Sequence, residues 1–150
     1  MIHTFKSEED GWLSNMVLCQ IRMKGRFFKS VEHAYVSEKR GDDEWRDFCA
    51  NKGFSPNQLS AYAIKKRGQN IPIRPDWEDV KLLVMEHCLR QKFKHEPFRS
   101  NLIATGDQNI QEGNYWGDSY WGIDLKENPN IGENHLGRLI MKIRDEYGKY

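Results

Sequence analysis

The sequence predicts a single α+β domain over residues 1–150, mainly α-helical, with a small antiparallel hairpin. Several stretches repeat their apolar residues at helical spacing, most clearly residues 75–93. Residues 17–28 alternate around a Lys24-Gly25 turn signal, as a hairpin does. No Pro-, Gly- or Ser-rich linker divides the chain, and 150 residues are enough for one core. We therefore expect one domain.

The hairpin and the helices can be assigned in chain order. In the first strand Val17, Cys19, Ile21 and Met23 alternate, and the second strand resumes at 26–28. Helices are predicted at 31–50 with Gly41 as a potential break, at 56–68 after Ser55, at 75–93, at 97–106 and at 134–147. The first of these should turn one face inward, made of Val31, Ala34, Tyr35, Trp45, Phe48 and Cys49.

Residues 110–133 carry few helical signals. Ile110-Gln111-Glu112 is predicted as a short strand. Residues 113–133 are predicted as a long loop, rich in glycine and aromatic residues. Loops of this length in small domains are usually functional or disordered, and the aromatic content argues against disorder.

The composition excludes several classes of protein. The formal net charge is +1, so no global field recruits nucleic acid or a membrane. No apolar run reaches the roughly 20 residues of a membrane span, and Met1–Lys6 lacks an apolar signal core, so we expect a cytoplasmic protein. The histidines and the three separated cysteines lack metal spacing. We therefore predict no disulfide framework, no metal and no cofactor.

Glu32 is the first candidate for chemistry. Ser30 is a predicted N-cap, which places Glu32 in the first turn of a helix. A glutamate there often does no more than complement the helix dipole. Alternatively it is a catalytic carboxylate, kept ionised by its position and suited to act as a base or as a stabiliser of positive charge.

Asp118 is the second candidate, in the segment Gly117-Asp118-Ser119-Tyr120-Trp121-Gly122. An aspartate between small residues is commonly a turn former. Flanking aromatics also suit a planar base attached to a sugar, and cleavage at such a bond passes through an oxocarbenium-like state that an anion stabilises. Glu32 and Asp118 are the candidate pair, and Glu112 is a third carboxylate that could replace either.

Basic residues provide candidates for phosphate binding. Lys65 lies with Lys66 and Arg67 in the last turn of a predicted helix, where lysines also complement the helix dipole. Arg74 is in an extended segment from which it could reach a phosphate, and Lys81 follows one helical turn after Trp77. Both interpretations of the cluster at 65–67 remain open on sequence alone.

Taken in order, these motifs resemble the NADAR, or YbiA-like, family. The N-terminal matches are Leu13-Ser14-Asn15, Gly25, Phe28-x-Ser30-Val31-Glu32-His33-Ala34-Tyr35, Lys39, Ala63-x-Lys65-x-x-Gly68, Arg74-x-Asp76-Trp77, Lys81 and Met85. The C-terminal matches are Lys92-Phe93, Leu102-x-x-Thr105-Gly106, Ile110, Glu112, Asp118-x-x-Trp121-Gly122 and Gly132-x-Asn134-x-Leu136-Gly137-x-x-x-Met141-x-x-Arg144. A departure is the segment 123–129, where many relatives have a Gly-rich stretch after Trp-Gly.

The resemblance implies a mainly helical α+β N-glycosidase. Its substrates would be ribosylamino intermediates of the riboflavin pathway, which release ribose 5-phosphate, or ADP-ribosylated guanine. Carried over by motif, Glu32 and Asp118 would be catalytic. The implied substrate-binding residues are Asn15, Tyr35, Lys65, Arg74, Lys81, Glu112, Trp121 and Asn134.

Two other functions compete with this prediction. One is a non-catalytic ADP-ribose or nucleotide-binding module, which needs the same aromatic and basic groups but no carboxylate. The other is a nucleic-acid-binding protein that senses modified bases by stacking. The expected partners are a small phosphoribosyl or ADP-ribosyl substrate and, as an alternative, ADP-ribosylated nucleic acid, with no membrane. The oligomeric state is left open.

Overall fold

The computed structural model describes residues 1–51 and 59–148. The chain divides into two compact units. We call Asn15–Lys92 the central unit, and Met1–Ser14 together with Phe93–Tyr150 the terminal unit. The described residues are mainly helical and include a small antiparallel hairpin, which confirms the predicted fold class. The number of domains stays a prediction.

The central unit begins with the predicted hairpin in a shorter form. Strand β1 is Ile21–Met23 and strand β2 is Arg26–Phe28, paired antiparallel with Ile21 opposite Phe28. The turn residues Lys24 and Gly25 both have positive φ, 53° and 72°. This is the geometry that a two-residue hairpin requires, so Lys24-Gly25 was a correct turn signal.

The helix predicted at 31–50 is two helices. Helix α1 is Val31–Ser37 and helix α2 is Asp43–Ala50. Gly41 lies between them with φ of 87°, a left-handed conformation that ends helical geometry. Asp42 restarts the chain as an N-cap, since its side chain accepts a hydrogen bond from the Trp45 N–H at 2.9 Å.

Two more helices complete the central unit. Helix α3 is Ala61–Gly68, capped by Ser60, and helix α4 is Trp77–Phe93, whose last residue already belongs to the terminal unit. The predicted helix start at Ser55-Pro56 lies outside the described residues. A Cβ on Gly68 would lie 2.7 Å from Val36 Cγ1, so glycine allows α3 to approach α1 closely.

One residue that was predicted to face the core of the central unit is exposed. Phe48 is 46% exposed, whereas the other residues predicted on that face are buried. Its ring stacks on Trp45 with 5.3 Å between centroids, and the Arg67 guanidinium lies 5.4 Å from the Phe48 centroid. The break between α1 and α2 explains the error, because the inward face of α2 does not continue the inward face of α1. Phe48 is therefore left exposed.

The terminal unit consists of short elements and a longer last helix. Its elements are the 3₁₀ turn Gly11–Leu13, helix α5 (Phe98–Ala104), strand β3 (Gly113–Asn114), strand β4 (Ile123–Asp124) and helix α6 (His135–Tyr147). Strands β3 and β4 pair in parallel. The predicted long loop at 113–133 therefore contains two short strands that were not predicted, and Ile110 forms an isolated bridge with Ile2 instead of the predicted strand at 110–112.

Helix α6 anchors the terminal unit. Leu136, Ile140 and Ile143 are buried along its inner face. The buried Arg144 donates hydrogen bonds to Thr105 Oγ1 at 3.2 Å and to the Gln108 carbonyl at 2.6 Å, which ties α6 to the end of α5. Within 1–51 and 59–148, no helix has the length and apolar character needed to cross a membrane.

Candidate active site

Glu32 lies at the start of helix α1 in the central unit. The Ser30 hydroxyl caps this helix by accepting a hydrogen bond from the His33 N–H at 3.1 Å. The Glu32 N–H donates to the Asn15 carbonyl at 3.1 Å. Only 8% of Glu32 is exposed, although glutamate is almost never buried on a surface helix. Burial of a first-turn carboxylate is more than complementing a helix dipole requires.

His33 fixes the start of this helix. Its Nε2 lies 2.9 Å from the Leu59 carbonyl oxygen, which can only accept, so Nε2 carries the proton. Nδ1, 2.7 Å from Ser30 Oγ, then accepts from the hydroxyl. Burial lowers the pKa of His33, which favours this neutral form. Because both ring nitrogens are engaged inside the unit, His33 positions the helix and does not act as an acid.

The charges of Glu32 and of two further lysines act on Lys39. Lys39 follows α1, Lys65 lies in the last turn of α3, and Lys81 lies on α4. The pKa of Lys39 is lowered, chiefly by burial, with the Glu32 charge opposing that shift and the charges of Lys65 and Lys81 adding to it. One carboxylate and three ammonium groups therefore share a local field, which suits a site for a phosphate-bearing ligand.

Lys39 lies near a pair of buried aromatic rings. The ring centroids of Tyr35 and Trp77 are 5.1 Å apart, and both residues are buried. Lys39 Nζ lies 5.7 Å from the Tyr35 centroid, within cation–π range. Lys81 Nζ also pairs with Glu78 at 2.6 Å, an exposed partner at helical spacing. Tyr35, predicted to bind substrate, is thus placed beneath Lys39.

Arg74 holds the chain next to Lys39. Its guanidinium makes two hydrogen bonds to Asp76, at 2.6 and 2.9 Å, and one to Glu38 at 3.3 Å. Its N–H donates to the Lys39 carbonyl at 2.8 Å. Through these contacts Arg74 connects Glu38 and Lys39 with Asp76. Its role as a phosphate ligand stays a prediction.

Asn15 contains a buried side-chain oxygen. Its Nδ2 lies 3.7 Å from the Met85 sulfur, a weak acceptor. Its Oδ1 is buried and, within the part of the chain that the structure describes, has no hydrogen-bond partner. Leaving such a group unsatisfied costs about 1–3 kcal/mol. The Asn15 backbone carbonyl accepts from the Glu32 N–H, so this buried side-chain oxygen belongs to a residue in contact with the start of α1. The role of Asn15 in substrate binding stays a prediction.

The other predicted residues belong to the terminal unit. Asp118 Oδ1 accepts hydrogen bonds from the N–H groups of Tyr120 at 3.1 Å and Trp121 at 2.9 Å. Asn134 uses its side chain inside the unit, donating to the Ile110 carbonyl at 2.9 Å and accepting from the Glu112 N–H at 3.0 Å. Asp118 and Asn134 therefore shape the backbone around Glu112 and Trp121.

Trp121 lies in an aromatic group at the start of α6. Its ring meets Tyr120 edge-on with centroids 4.9 Å apart, and Tyr120 lies 4.5 Å from the His135 ring. The N–H groups of His135 and Leu136 donate to the carbonyls of Tyr120 and Trp121. The first amides of α6 therefore hold this aromatic segment.

The predicted site residues fall into two sets. Asn15, Glu32, Tyr35, Lys65, Arg74 and Lys81 belong to the central unit, and Glu112, Asp118, Trp121 and Asn134 belong to the terminal unit. Sequence reasoning gave no site role to Lys39, although its spacing of four residues from Tyr35 was a usable signal. The hydrogen bonds of the buried Asn114 to the Asp118 backbone and to Glu112 Oε2 were not predicted either, because Asn114 looks like an ordinary turn residue in the sequence.

The buried carboxylate of Glu32 and the lysines whose charges act on Lys39 define a candidate site, and comparison with known proteins defines the family of the chain. The sequence model of the NADAR domain matches residues 4–147. The chain belongs to the NADAR family, as its motifs suggested.

Named relatives indicate a glycosidase-type activity in this family. The chain is 30% identical to N-glycosidase YbiA of Escherichia coli (strain K12), over 93% of this chain and 83% of that protein. It is also 30% identical to the riboflavin biosynthesis protein VVA0006 of Vibrio vulnificus, over 93% of this chain but only 36% of that protein. The chain thus spans about a third of the Vibrio protein.

A solved structure confirms the fold. The NMR structure of E. coli YbiA aligns with a TM-score of 0.77 at 27% identity. The alignment covers 99% of this chain and 88% of the YbiA chain. The predicted YbiA-like fold is therefore confirmed over nearly the whole length of the chain.

Proposed function

We propose that this protein is an N-glycosidase that hydrolyses the bond between a base or aminopyrimidine and a phosphorylated ribose or ADP-ribose. The observation that carries the proposal is Glu32, a buried first-turn carboxylate whose charge acts on Lys39 together with the charges of Lys65 and Lys81. Relatives named as N-glycosidases and riboflavin biosynthesis proteins support it.

The chemistry needs an anion near the anomeric carbon. As the C1′–N bond breaks, positive charge develops on C1′ and the ring oxygen. Glu32 stabilises that charge or takes a proton from the attacking water. The water hydroxyl adds to C1′, and the leaving nitrogen takes up a proton. The products are a free sugar phosphate, or ADP-ribose, and the released base.

The lysines account for the choice of a phosphorylated substrate. The charges of Lys65 and Lys81 act on Lys39, and such a group of cations attracts a phosphate. Lys81 already has Glu78 as a partner, but Glu78 is largely exposed and its contribution is weakened by solvent. The cluster thus provides both the binding charge and the electrostatic environment of the carboxylate.

The experiment offers the purified protein two compounds side by side. One is a ribosylamino pyrimidine phosphate of the riboflavin pathway, and the other is an oligonucleotide that carries ADP-ribosylated guanine. Mass spectrometry detects ribose 5-phosphate, ADP-ribose and the released bases. We expect turnover of at least one compound, and which compound is turned over identifies the substrate. No turnover of either would contradict the proposal.

A binding module without catalysis is the second candidate, because the lysine cluster by itself suits phosphate binding. Such a module would bind ADP-ribose or ribose 5-phosphate without turnover. Its affinity would not depend on Glu32. The buried position of Glu32 favours the enzyme, since a binding site gains nothing from a carboxylate that neutralises one of its cations.

A further inference from the structure

Ser30 and His33 form a buried hydrogen-bonded pair at the start of helix α1. Ser30 is 0% exposed and His33 is 3% exposed. The Ser30 hydroxyl accepts from the His33 N–H at 3.1 Å and donates to His33 Nδ1 at 2.7 Å. On the other side of the ring, Nε2 donates to the Leu59 carbonyl at 2.9 Å. The imidazole therefore connects the N-cap of α1 with the residue just before the N-cap of α3.

This hydrogen-bond pattern requires a neutral imidazole. In the neutral ring Nδ1 is an acceptor, and it takes the Ser30 hydroxyl hydrogen. A protonated ring carries hydrogen on both nitrogens, so the hydroxyl hydrogen would lose the acceptor that it has in the structure. Because both residues are buried, water neither replaces that acceptor nor hydrates the charge. Protonation of His33 is therefore unfavourable as long as the start of α1 stays in place.

The surroundings of the ring also oppose its protonation. Helices α2 and α3 and the hairpin pack against α1. Burial is the largest cause that lowers the pKa of His33, the hydrogen bond to Leu59 opposes that shift, and the charge of Lys29, just after β2, lowers the pKa further. Charged side chains of α2 and α3 interact with other groups: Asp43 and Asp47 with Arg26, Arg46 with Glu38, and Lys65 with Lys39.

Glu32 belongs to the same helix start. It directly precedes His33, and its N–H donates to the Asn15 carbonyl at 3.1 Å. When the start of α1 opens to solvent, His33 regains its ordinary pKa of about 6.5, so the open form binds a proton that the closed form does not. The closed form is therefore fully favoured above pH 6.5 and loses stability as the pH falls below it. Opening moves Glu32 out of its place.

We propose that acidification opens the start of α1 through His33 and thereby inactivates the site at Glu32, so that the fold contains a pH switch. The effect on activity rests on the proposed N-glycosidase function, whereas the opening itself does not. The switch has a closed state, which holds Glu32, and an open state, in which Ser30 and the protonated ring reach water. His33 is a positioning residue, because it acts through the helix that carries Glu32.

Hydrogen–deuterium exchange of the α1 amides between pH 8 and pH 5 tests the opening directly. After correction for the intrinsic exchange rate, we expect the protection of residues 33–37 to fall below about pH 6.5. The fall should reach up to about tenfold per pH unit, which is the limit for one proton. Protection of α1 that stays constant from pH 8 to pH 5 would overturn the proposal.

Two matched substitutions in the central unit assign the effect to one histidine. His33→Gln keeps an amide donor for the Leu59 carbonyl but cannot be protonated, so its α1 protection should stay constant below pH 6.5. His87→Gln removes an exposed histidine of α4 and should keep the wild-type dependence. An acid-dependent loss that persists in His33→Gln, or that disappears in His87→Gln, would overturn the assignment.

NMR of the wild-type histidine rings gives the same decision if His33→Gln does not fold. We expect the ¹⁵N shifts to show the Nε2–H tautomer of His33 at pH 8. On acidification the ring should become protonated over the same pH range in which α1 loses protection. The Nδ1–H tautomer, or a protonated His33 with α1 still protected, would contradict the switch.

Activity measurements separate this inference from the proposed function. If a substrate is cleaved, kcat/KM relative to its value at pH 8 should fall more steeply in acid for the wild type than for His33→Gln. If α1 opens in acid but neither candidate substrate is cleaved at any pH, the glycosidase proposal fails and the opening stands. If a substrate is cleaved and the acid loss is equal in both proteins, the switch fails and the glycosidase proposal stands.

Discussion

The two units hold their candidate carboxylates in different ways. In the central unit, Glu32 interacts electrostatically with Lys39, on which the charges of Lys65 and Lys81 also act. In the terminal unit, Glu112 and Asp118 are held by neutral donors, the Asn114 amide and backbone N–H groups. The interaction between charges acts over distance and changes with pH and salt. A hydrogen bond from an amide instead fixes the direction of its acceptor. Chemistry on a charged intermediate is therefore expected at Glu32, whereas Glu112 and Asp118 are oriented by groups of the terminal unit itself.

The largest expected effect comes from Glu32→Gln, which removes the charge and keeps the shape. We expect kcat/KM to fall by about 10³-fold or more, because the anion that stabilises the transition state is lost. Steady-state kinetics with the accepted substrate measure the effect. Circular dichroism serves as the control that helix α1 is intact. A loss of less than tenfold would place the chemistry elsewhere.

The next effect concerns stability and Lys92, a fully buried lysine of the central unit. Burial lowers its pKa to about 7, with the Cys19 charge acting in the opposite direction. Above pH 7 the folded protein releases this proton while the unfolded chain keeps it up to the ordinary lysine pKa. Stability should therefore rise with pH from about 7 toward 10, by at most about 1.4 kcal/mol per unit for one proton.

Lys92→Met removes that titration. We expect the variant to be more stable than the wild type at pH 7 and the difference between the two to shrink as the pH rises. Urea unfolding of both proteins at pH 7, 8 and 9 measures it. A difference that stays constant with pH would show that Lys92 is charged in the folded state.

A smaller effect, on KM, distinguishes a lysine that binds phosphate from a lysine that only complements the helix dipole. Lys65 and Lys66 are neighbours in the last turn of α3, but only Lys65 acts on Lys39, and Lys66 is exposed. Lys65→Met should raise the KM for a phosphorylated substrate about tenfold, as expected for one lost phosphate contact of 1–2 kcal/mol. Lys66→Met is the matched control and should change KM by less than about twofold. Equal effects would favour the helix-dipole interpretation.

The smallest effect tests the turn at Asp118. Asp118→Ala removes the acceptor of two backbone N–H groups and should lower the free energy of unfolding by about 1–2 kcal/mol. Asp118→Asn keeps the acceptor and should stay within about 0.5 kcal/mol of the wild type. Thermal unfolding of the two variants decides the question. If Asp118→Asn lost as much stability as Asp118→Ala, the negative charge itself would be holding the turn.

The sequence was sufficient for elements with a strong period or a strong cap. Helices α4 and α6 were predicted within two residues of their observed ends, because a long apolar repeat leaves little choice. The hairpin followed from alternation and the Lys24-Gly25 turn. Strands β3 and β4 were missed, since strands of two residues have no period to detect and depend on pairing across ten residues.

The site was predictable in part for the same reason. Glu32 stood out because its cap, Ser30, is local in sequence. The contact of Arg74 with Glu38, 36 residues away, and the network around Asn114 depend on tertiary structure, which no local pattern reports. The family resemblance supplied the remaining residues, and their roles stay predictions.

The most direct test of the central claim measures binding and turnover on one preparation of Glu32→Gln. Calorimetry with ribose 5-phosphate or ADP-ribose gives the affinity, and mass spectrometry gives product formation. The account predicts that the affinity is retained or increased, because one negative charge has left the lysine cluster, while turnover is lost. Wild-type turnover in this variant would contradict the assignment of Glu32 as the catalytic carboxylate.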